Sequence, residues 1–209
     1  MRIGVLCPTR DGPDRLRQAF QSMIDTSKST TMIACIDDDQ RGLYAPIQHE
    51  RLVYHVAPRV NVVDLLNSAV KLHPFDVYGL MVDDARFKTF GWDDYVVRTI
   101  EAFPAGIGVV SAHHGKGWFV NFPYVSARWI EVVGWYACPQ THHFCWDTVL
   151  ELLGEATHID YASEQNFAIE HDLLQNDATL CKFASDCIQF LGWCVNGRRD
   201  VVQKLREAM

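Results

Sequence analysis

The feature that most constrains this chain is a set of four short apolar runs, three of them stopped abruptly by polar residues. Ile3 to Leu6 runs into Pro8-Thr9-Arg10, and Met32 to Ile36 runs into Asp37-Asp38-Asp39. Leu52 to Val56 is the third run, and Val77 to Val82 is the fourth, stopping at Asp83-Asp84. Runs of this length predict buried β-strands. Segments of helical period lie between them. After Asp11-Gly12-Pro13, read as an N-cap and a first-turn proline, Leu16, Ala19, Phe20, Met23 and Ile24 share one face. From Asn61 to Val70, the residues Val62, Val63, Leu66, Ala69 and Val70 do the same. This alternation predicts an α/β fold: a mixed, mainly parallel central sheet flanked by helices in a single domain.

Ligands of open α/β sheets bind beyond the carboxyl ends of the strands. Thr9, Arg10, the acids at 37 to 39, and Asp83 with Asp84 are therefore expected along one sheet edge. The second half continues with expected strands at Gly108 to Ala112 and Trp118 to Phe122. A short helix from Ser126 to Val133 is capped by Ser126 and ended by Gly134; Asp147 to Leu153 is another. The tail from Ser185 to Met209 has helical patterning after a turn at Asn196-Gly197. No composition shift divides the 209 residues, so one domain over 1–209 is expected.

Hydrophobic residues at 48% and charged residues at 22% exclude disordered and fibrous classes. The balance of 19 Lys+Arg against 26 Asp+Glu gives a formal charge of −7. That disfavours non-specific binding to nucleic acid or anionic membranes. No apolar run approaches the roughly 20 residues of a membrane helix, and Pro8 interrupts the N-terminus too early for a signal peptide. Seven scattered cysteines without a secretory signal predict reduced thiols and a cytoplasmic location.

Two acid clusters at matching strand ends carry the chemistry. Crowded carboxylates repel one another unless a cation lies between them. Hard oxygen ligands suit Mg²⁺ or Mn²⁺, which bridge carboxylates to a substrate diphosphate. The plain alternative is that these acids are solvated turn residues. Arg10 and Arg59 could fork onto phosphate oxygens, and the helix beginning near Asn61 could add backbone N–H groups. A plain surface position is the commoner fate of such an arginine, and neither alone points to a phosphate.

The stretch from Cys138 to Cys145 holds four potential zinc ligands. Its adjacent His142 and His143 would point apart, and no second ligand pair follows, so a zinc site is disfavoured. Gly115-Lys116-Gly117 lacks the spacing of a phosphate-binding loop. Aromatic residues crowd the second half; most are expected in the core, with Trp118, Trp135 and Trp146 kept as sugar-stacking candidates.

Taken in order, these residues resemble the GT-A-fold glycosyltransferases, in particular the inverting family 2 and its small bacterial and phage-associated members. The resemblance rests on Pro8-Thr9-Arg10, Asp37-Asp38-Asp39, Arg59 with Asn61 and Asn67, and Asp83-Asp84-Ala85-Arg86-Phe87. It continues through Gly91-Trp92-Asp93, Gly134-Trp135, Trp146-Asp147 and Glu170-His171-Asp172. It implies a donor half over about residues 1–90, an acceptor half over about 91–175 and a helical tail over about 176–209. It implies that Pro8, Thr9, Arg10, Asp37, Asp39, Arg59, Asn61, Asn67 and Asp83 hold a UDP- or GDP-sugar. Asp84 and His171 would be the metal ligands for Mn²⁺ or Mg²⁺. Ala85 stands where the family's Asp-x-Asp motif has its last acid, which puts the metal in question. Asp147 falls at the position of the general base, and Trp118, Trp135 and Trp146 lie on the acceptor side. The acceptor is unknown, and a nucleic-acid acceptor stays open. A sugar nucleotidyltransferase and a non-catalytic nucleotide-sugar-binding protein on the same fold are the alternatives. The first would show a glycine-rich loop after strand one, where this chain has Pro8-Thr9-Arg10-Asp11-Gly12.

Overall fold

The structure, a computed structural model, describes residues 1–114, 120–143, 145–171 and 177–209. Trp118 and the Gly115-Lys116-Gly117 stretch lie outside the described residues.

The four apolar runs form strands β1 (Ile3–Pro8), β2 (Thr31–Asp37), β3 (Leu52–Ala57) and β4 (Val77–Leu80). β5 (Ala85–Phe87) follows, and the second half adds β6 (Val109–Ser111), β7 (Pro123–Ser126), β8 (Ile159–Tyr161) and β9 (Ile169–His171). The main sheet has seven strands in the order β3-β2-β1-β4-β7-β6-β8. β1 to β4 pair in parallel, β7 runs antiparallel to both its neighbours, and β6 and β8 are again parallel. The mixed, mainly parallel sheet expected from the alternation is the one observed. β5 and β9 pair separately as a two-stranded antiparallel sheet.

Because side chains alternate along a strand, β1 feeds two cores. Ile3, Val5 and Cys7 face one side, where α1 (Pro13–Thr26) and α4 (Trp92–Ala102) bury Leu16, Phe20, Met23, Trp92, Val96 and Ile100. Leu6 faces the other side. There α3 (Val62–Leu72), α5 (Ala127–Val133) and α6 (Trp146–Ala156) bury Val63, Leu66, Trp129, Val149 and Leu150. The tail forms α7 (Asp177–Asn196) and α8 (Arg198–Ala208), which add Trp193 and Leu205 to this second core. A four-residue helix, α2 (Arg41–Tyr44), completes the β2–β3 connection. Among the described residues no helix is long and apolar enough to cross a membrane.

Trp92 anchors the first core. Its ring stacks on Phe87 at 4.5 Å and on Phe167 at 5.0 Å, with Tyr124 edge-on at 5.5 Å. Truncating such a buried indole costs about 3–5 kcal/mol. The next residue, Asp93, is buried and accepts from Lys28 N at 2.8 Å and Ser29 N at 3.3 Å, tying α4 to the end of α1.

Three expectations need correction. Gly12, not Asp11, caps α1, and no side chain caps it. The turn there is set by tertiary contacts, since Asp11 N donates to Gln40 and Gly12 N to Tyr44. Of the strand expected at Trp118 to Phe122, the described residues 120–122 are not strand, and β7 follows them at Pro123–Ser126. Phe122 adopts a left-handed backbone, φ +48°, which a strand cannot accommodate. Helix α7 starts at Asp177, within the expected tail of about 176–209 but ahead of Ser185, where the helical patterning was expected to begin. The α5 boundaries follow the sequence reading: the Ser126 hydroxyl accepts from Trp129 N at 3.0 Å, and Gly134 ends the helix at φ +87°.

Candidate active site

The polar residues after β1, β2 and β4 meet at one edge of the sheet. Pro8 closes β1, and Thr9 N extends its ladder to Cys35 O at 3.1 Å. The buried Thr9 hydroxyl donates to Asp83 Oδ2 at 2.6 Å and lies 2.9 Å from the Tyr44 hydroxyl. Gly12 N donates to that same Tyr44 oxygen at 3.1 Å. Donor and acceptor roles then run one way: Gly12 N–H to Tyr44, Tyr44 to Thr9, Thr9 to Asp83. Arg15, from the first turn of α1, adds its guanidinium 3.3 Å from Asp83 Oδ2. A Cβ on Gly12 would stand 2.6 Å from Arg15 Nη2 and 2.7 Å from Asp83 Oδ2, so a side chain there would displace these two groups. Tyr44 and Arg15 are site residues that the sequence reading missed. Arg15 carried a faint signal, a basic residue on the first helical turn after the edge; Tyr44 carried none.

Beside this chain, Arg10 binds two acids at once. Its guanidinium donates to Asp37 and, in a fork at 3.0 and 2.7 Å, to Asp39. The hydrogen bond from Arg10 holds the Asp39 carboxyl below its usual range, with the Arg10 and Arg59 charges acting in the same direction. Arg59 itself is exposed after β3. Asn61 caps α3, its Oδ1 accepting from Asp64 N at 2.9 Å. Asn67 is engaged with backbone: Oδ1 accepts from Tyr136 N at 2.9 Å and Ala137 N at 3.0 Å, and Nδ2 donates to Ala137 O at 2.7 Å.

Asp84 lies on the other side of Asp83. Its Oδ1 is 3.3 Å from His171 Nε2, brought there by the β5–β9 pairing in which Ala85 stands opposite His171. Burial works against the Asp84 charge, but the hydrogen bond and charge of His171 outweigh it, and the carboxyl sits below its usual range. Ala85 is fully buried. A carboxylate at that position would lie inside the first core. Among the described residues no group of three His, Cys, Asp or Glu side chains converges on one point. Asp84 and His171 fit a two-ligand Mg²⁺ or Mn²⁺ site, the kind that keeps water and substrate phosphate oxygens as its remaining ligands.

The third group is the Gly134–Asp147 segment. The buried carboxylate of Asp186, on α7, accepts from His142 N at 3.1 Å and His143 N at 2.7 Å. His142 O in turn accepts from Val63 N at 3.4 Å at the start of α3. Asp147 follows in the first turn of α6. Burial pushes the Asp147 carboxyl above its usual range, against the hydrogen bond from Thr148 N at 2.8 Å, while Glu151 one turn on pushes the same way as burial. Trp146 is buried at 5% exposure and packs on Tyr136 at 5.6 Å, so its ring offers no free face for stacking. Trp135 is half-buried against the same core. A cleft of about 640 Å³ lies between this segment and α7, lined by Gln140, His142, Gln189, Trp193 and Asn196 among others.

The sheet order and its polar edge define a class: the chain has the GT-A-like fold of glycosyltransferases. Among solved structures it matches Staphylococcus aureus TarS at TM-score 0.65 and 10% identity, covering 100% of this chain and 43% of that one. It also matches the mannosyltransferase PcManGT from Pyrobaculum calidifontis, solved with GDP-Man and Mn²⁺, at TM-score 0.68 and 11% identity, covering 99% and 73%. A shorter TarS structure with UDP-GlcNAc matches at TM-score 0.61 and 10% identity, covering 100% and 71%. This chain thus spans less than half of the longer TarS chain. No protein-family model matches the sequence, and no curated protein matches it.

Proposed function

We propose that this protein is a glycosyltransferase that moves a sugar from a nucleoside-diphosphate donor to an acceptor hydroxyl with inversion. The observation that carries the reading is the polar edge itself. The Gly12–Tyr44–Thr9–Asp83 chain, the Arg10–Asp37–Asp39 fork and the Asp84–His171 pair lie side by side beyond the ends of parallel strands. Structural neighbours with UDP, UDP-GlcNAc and GDP-Man bound support a nucleotide-sugar donor.

On this reading Arg10, Asp37 and Asp39 take the nucleobase and ribose, Asp83 takes a ribose hydroxyl, and Arg59 and the Asn61 end of α3 face the diphosphate. Asp84 and His171 would hold a divalent cation, which neutralises charge on the leaving diphosphate when bound. Asp147 accepts the proton of the acceptor hydroxyl as its oxygen attacks the anomeric carbon. The raised Asp147 carboxyl suits that task, because a more basic carboxylate drives proton transfer further.

A second reading has one specific support. Ala85 in place of a third acid leaves only a two-ligand cation site, as a nucleotide-sugar-binding protein without catalysis would tolerate. A thermal-shift panel of UDP- and GDP-sugars with and without Mn²⁺ tests donor binding through ligand-linked stabilisation. Donor hydrolysis or transfer measured on the stabilising sugar then separates enzyme from binder. A flat response to every nucleotide sugar would overturn both readings.

A further inference from the structure

Among the described side chains, the four thiols outside the sheet fall into two pairs, independent of the proposed reaction. Cys138 and Cys145 bracket the segment before α6, and Cys187 and Cys194 lie two turns apart on α7. Cys145 Sγ and Cys187 Sγ are 3.7 Å apart across 42 residues of sequence. Cys194 is near enough to Cys138 for its charge to raise that thiol. Two helical turns separate the pairs by about 10 Å, so the four sulfurs cannot share one tetrahedral zinc.

We infer that Cys145 and Cys187 form a reversible disulfide that fastens the turn opening α6 to helix α7. Three observations carry this. The sulfurs are already within van der Waals contact. Cys145 adopts a left-handed backbone, φ +64°, immediately before Trp146-Asp147, so the contact sits at the residue that opens α6. The same two elements are already joined by Asp186, next to Cys187, which receives His142 N and His143 N. Little motion is needed to close the bond.

The chemistry is thiol–disulfide exchange with an external low-molecular-weight disulfide as oxidant. The half-exposed Cys187 attacks one sulfur of that disulfide, forms a mixed disulfide and expels one thiol. Cys145 then attacks the Cys187 sulfur, expels the second thiol and leaves the protein disulfide. Two protein thiols are oxidised, one disulfide is reduced to two thiols, and the two protons leave with them. Burial first, then Cys187, then the nearby carboxylates of Asp147 and Asp186 push the Cys145 thiol up to about 12. Closure is therefore slow at neutral pH and faster in alkaline buffer.

The test is incubation of the whole protein with oxidised glutathione at mildly alkaline pH, followed by alkylation and peptide mapping. The expected result is one intramolecular peptide pair joining Cys145 to Cys187, lost on reduction, and a Tm rise of about 5–10 °C in the oxidised protein. Cys187→Ser should fold as the wild type does and show neither the pair nor the rise. A persistent glutathione adduct on Cys187, a Cys145 that remains alkylatable, or a link found only between two chains would each overturn the assignment. The mapping reads the wild-type protein, so it decides the matter even where a cysteine variant folds poorly.

Discussion

Asp84 Oδ1 and His171 Nε2 stand 3.3 Å apart across a two-stranded sheet, although 87 positions separate the residues in sequence (171 − 84). Each side chain keeps 24% of its surface exposed. On the proposed reading this is the cation site. His171→Ala and Asp84→Asn should each abolish the extra stabilisation that Mn²⁺ gives with a nucleotide sugar, while the metal-free Tm moves little. If both variants retain the full Mn²⁺ increment, the cation binds elsewhere. The pair also has a pH signature. Asp84 is held below its usual range, so its stabilising contribution is complete above the unfolded value of about 3.9 and disappears as pH falls through the lower folded value.

Asp147 behaves in the opposite sense. Its folded carboxyl is raised, so the folded state binds a proton more readily than the unfolded chain. Stability falls as pH rises through the unfolded value toward the folded one. Asp147→Asn removes that penalty and should raise Tm at neutral pH. It should also leave donor binding intact and reduce transfer by about 10²–10⁴-fold. Normal transfer by this variant would remove Asp147 from the mechanism.

Tyr44 sits in the middle of the chain that orients Asp83. Tyr44→Phe keeps the buried ring but leaves Gly12 N and the Thr9 hydroxyl each short of a partner. The cost should be about 1–3 kcal/mol in urea unfolding. Donor affinity, measured by calorimetry, should fall as well, because Asp83 loses its fixed orientation. A variant with wild-type donor affinity would show that Asp83 needs no such support.

Asn67 separates a structural role from a donor contact. Asn67→Ala would strand Tyr136 N, Ala137 N and Ala137 O, three backbone groups now held by one amide. The expected loss is about 2–4 kcal/mol of stability. Donor affinity of the surviving folded fraction should change less than threefold. A variant with full stability and weak donor binding would place Asn67 on the ligand instead.

Much of the polar edge was legible in the order of residues, because each parallel strand must end on the same side of the sheet. Once Ile3–Leu6, Met32–Ile36 and Val77–Val82 are strands, Thr9, Arg10, Asp37, Asp39, Asp83 and Asp84 have to meet. The ends of α5 were equally readable, since Ser126 and Gly134 act within one turn of their own positions. The short strands β5 and β9 were not readable. Three residues carry no usable period, and their pairing depends on contacts between distant segments. Trp146 looked like a stacking platform from its neighbour Asp147, and only packing against Tyr136 shows its face to be covered.

What the sequence alone determined is therefore the four parallel strands β1 to β4 and most of the residues along their edge. Strand hydrophobicity and parallel connectivity are local and topological, and both are written in the order of residue types. The tertiary structure alone decided how those residues pair: Thr9 with Asp83, Arg10 with Asp37 and Asp39, Asp84 with His171, and Cys145 with Cys187. Those pairings depend on distances of a few ångströms between segments far apart in the chain. Such distances are fixed by the packing of both cores together and by no single stretch of sequence.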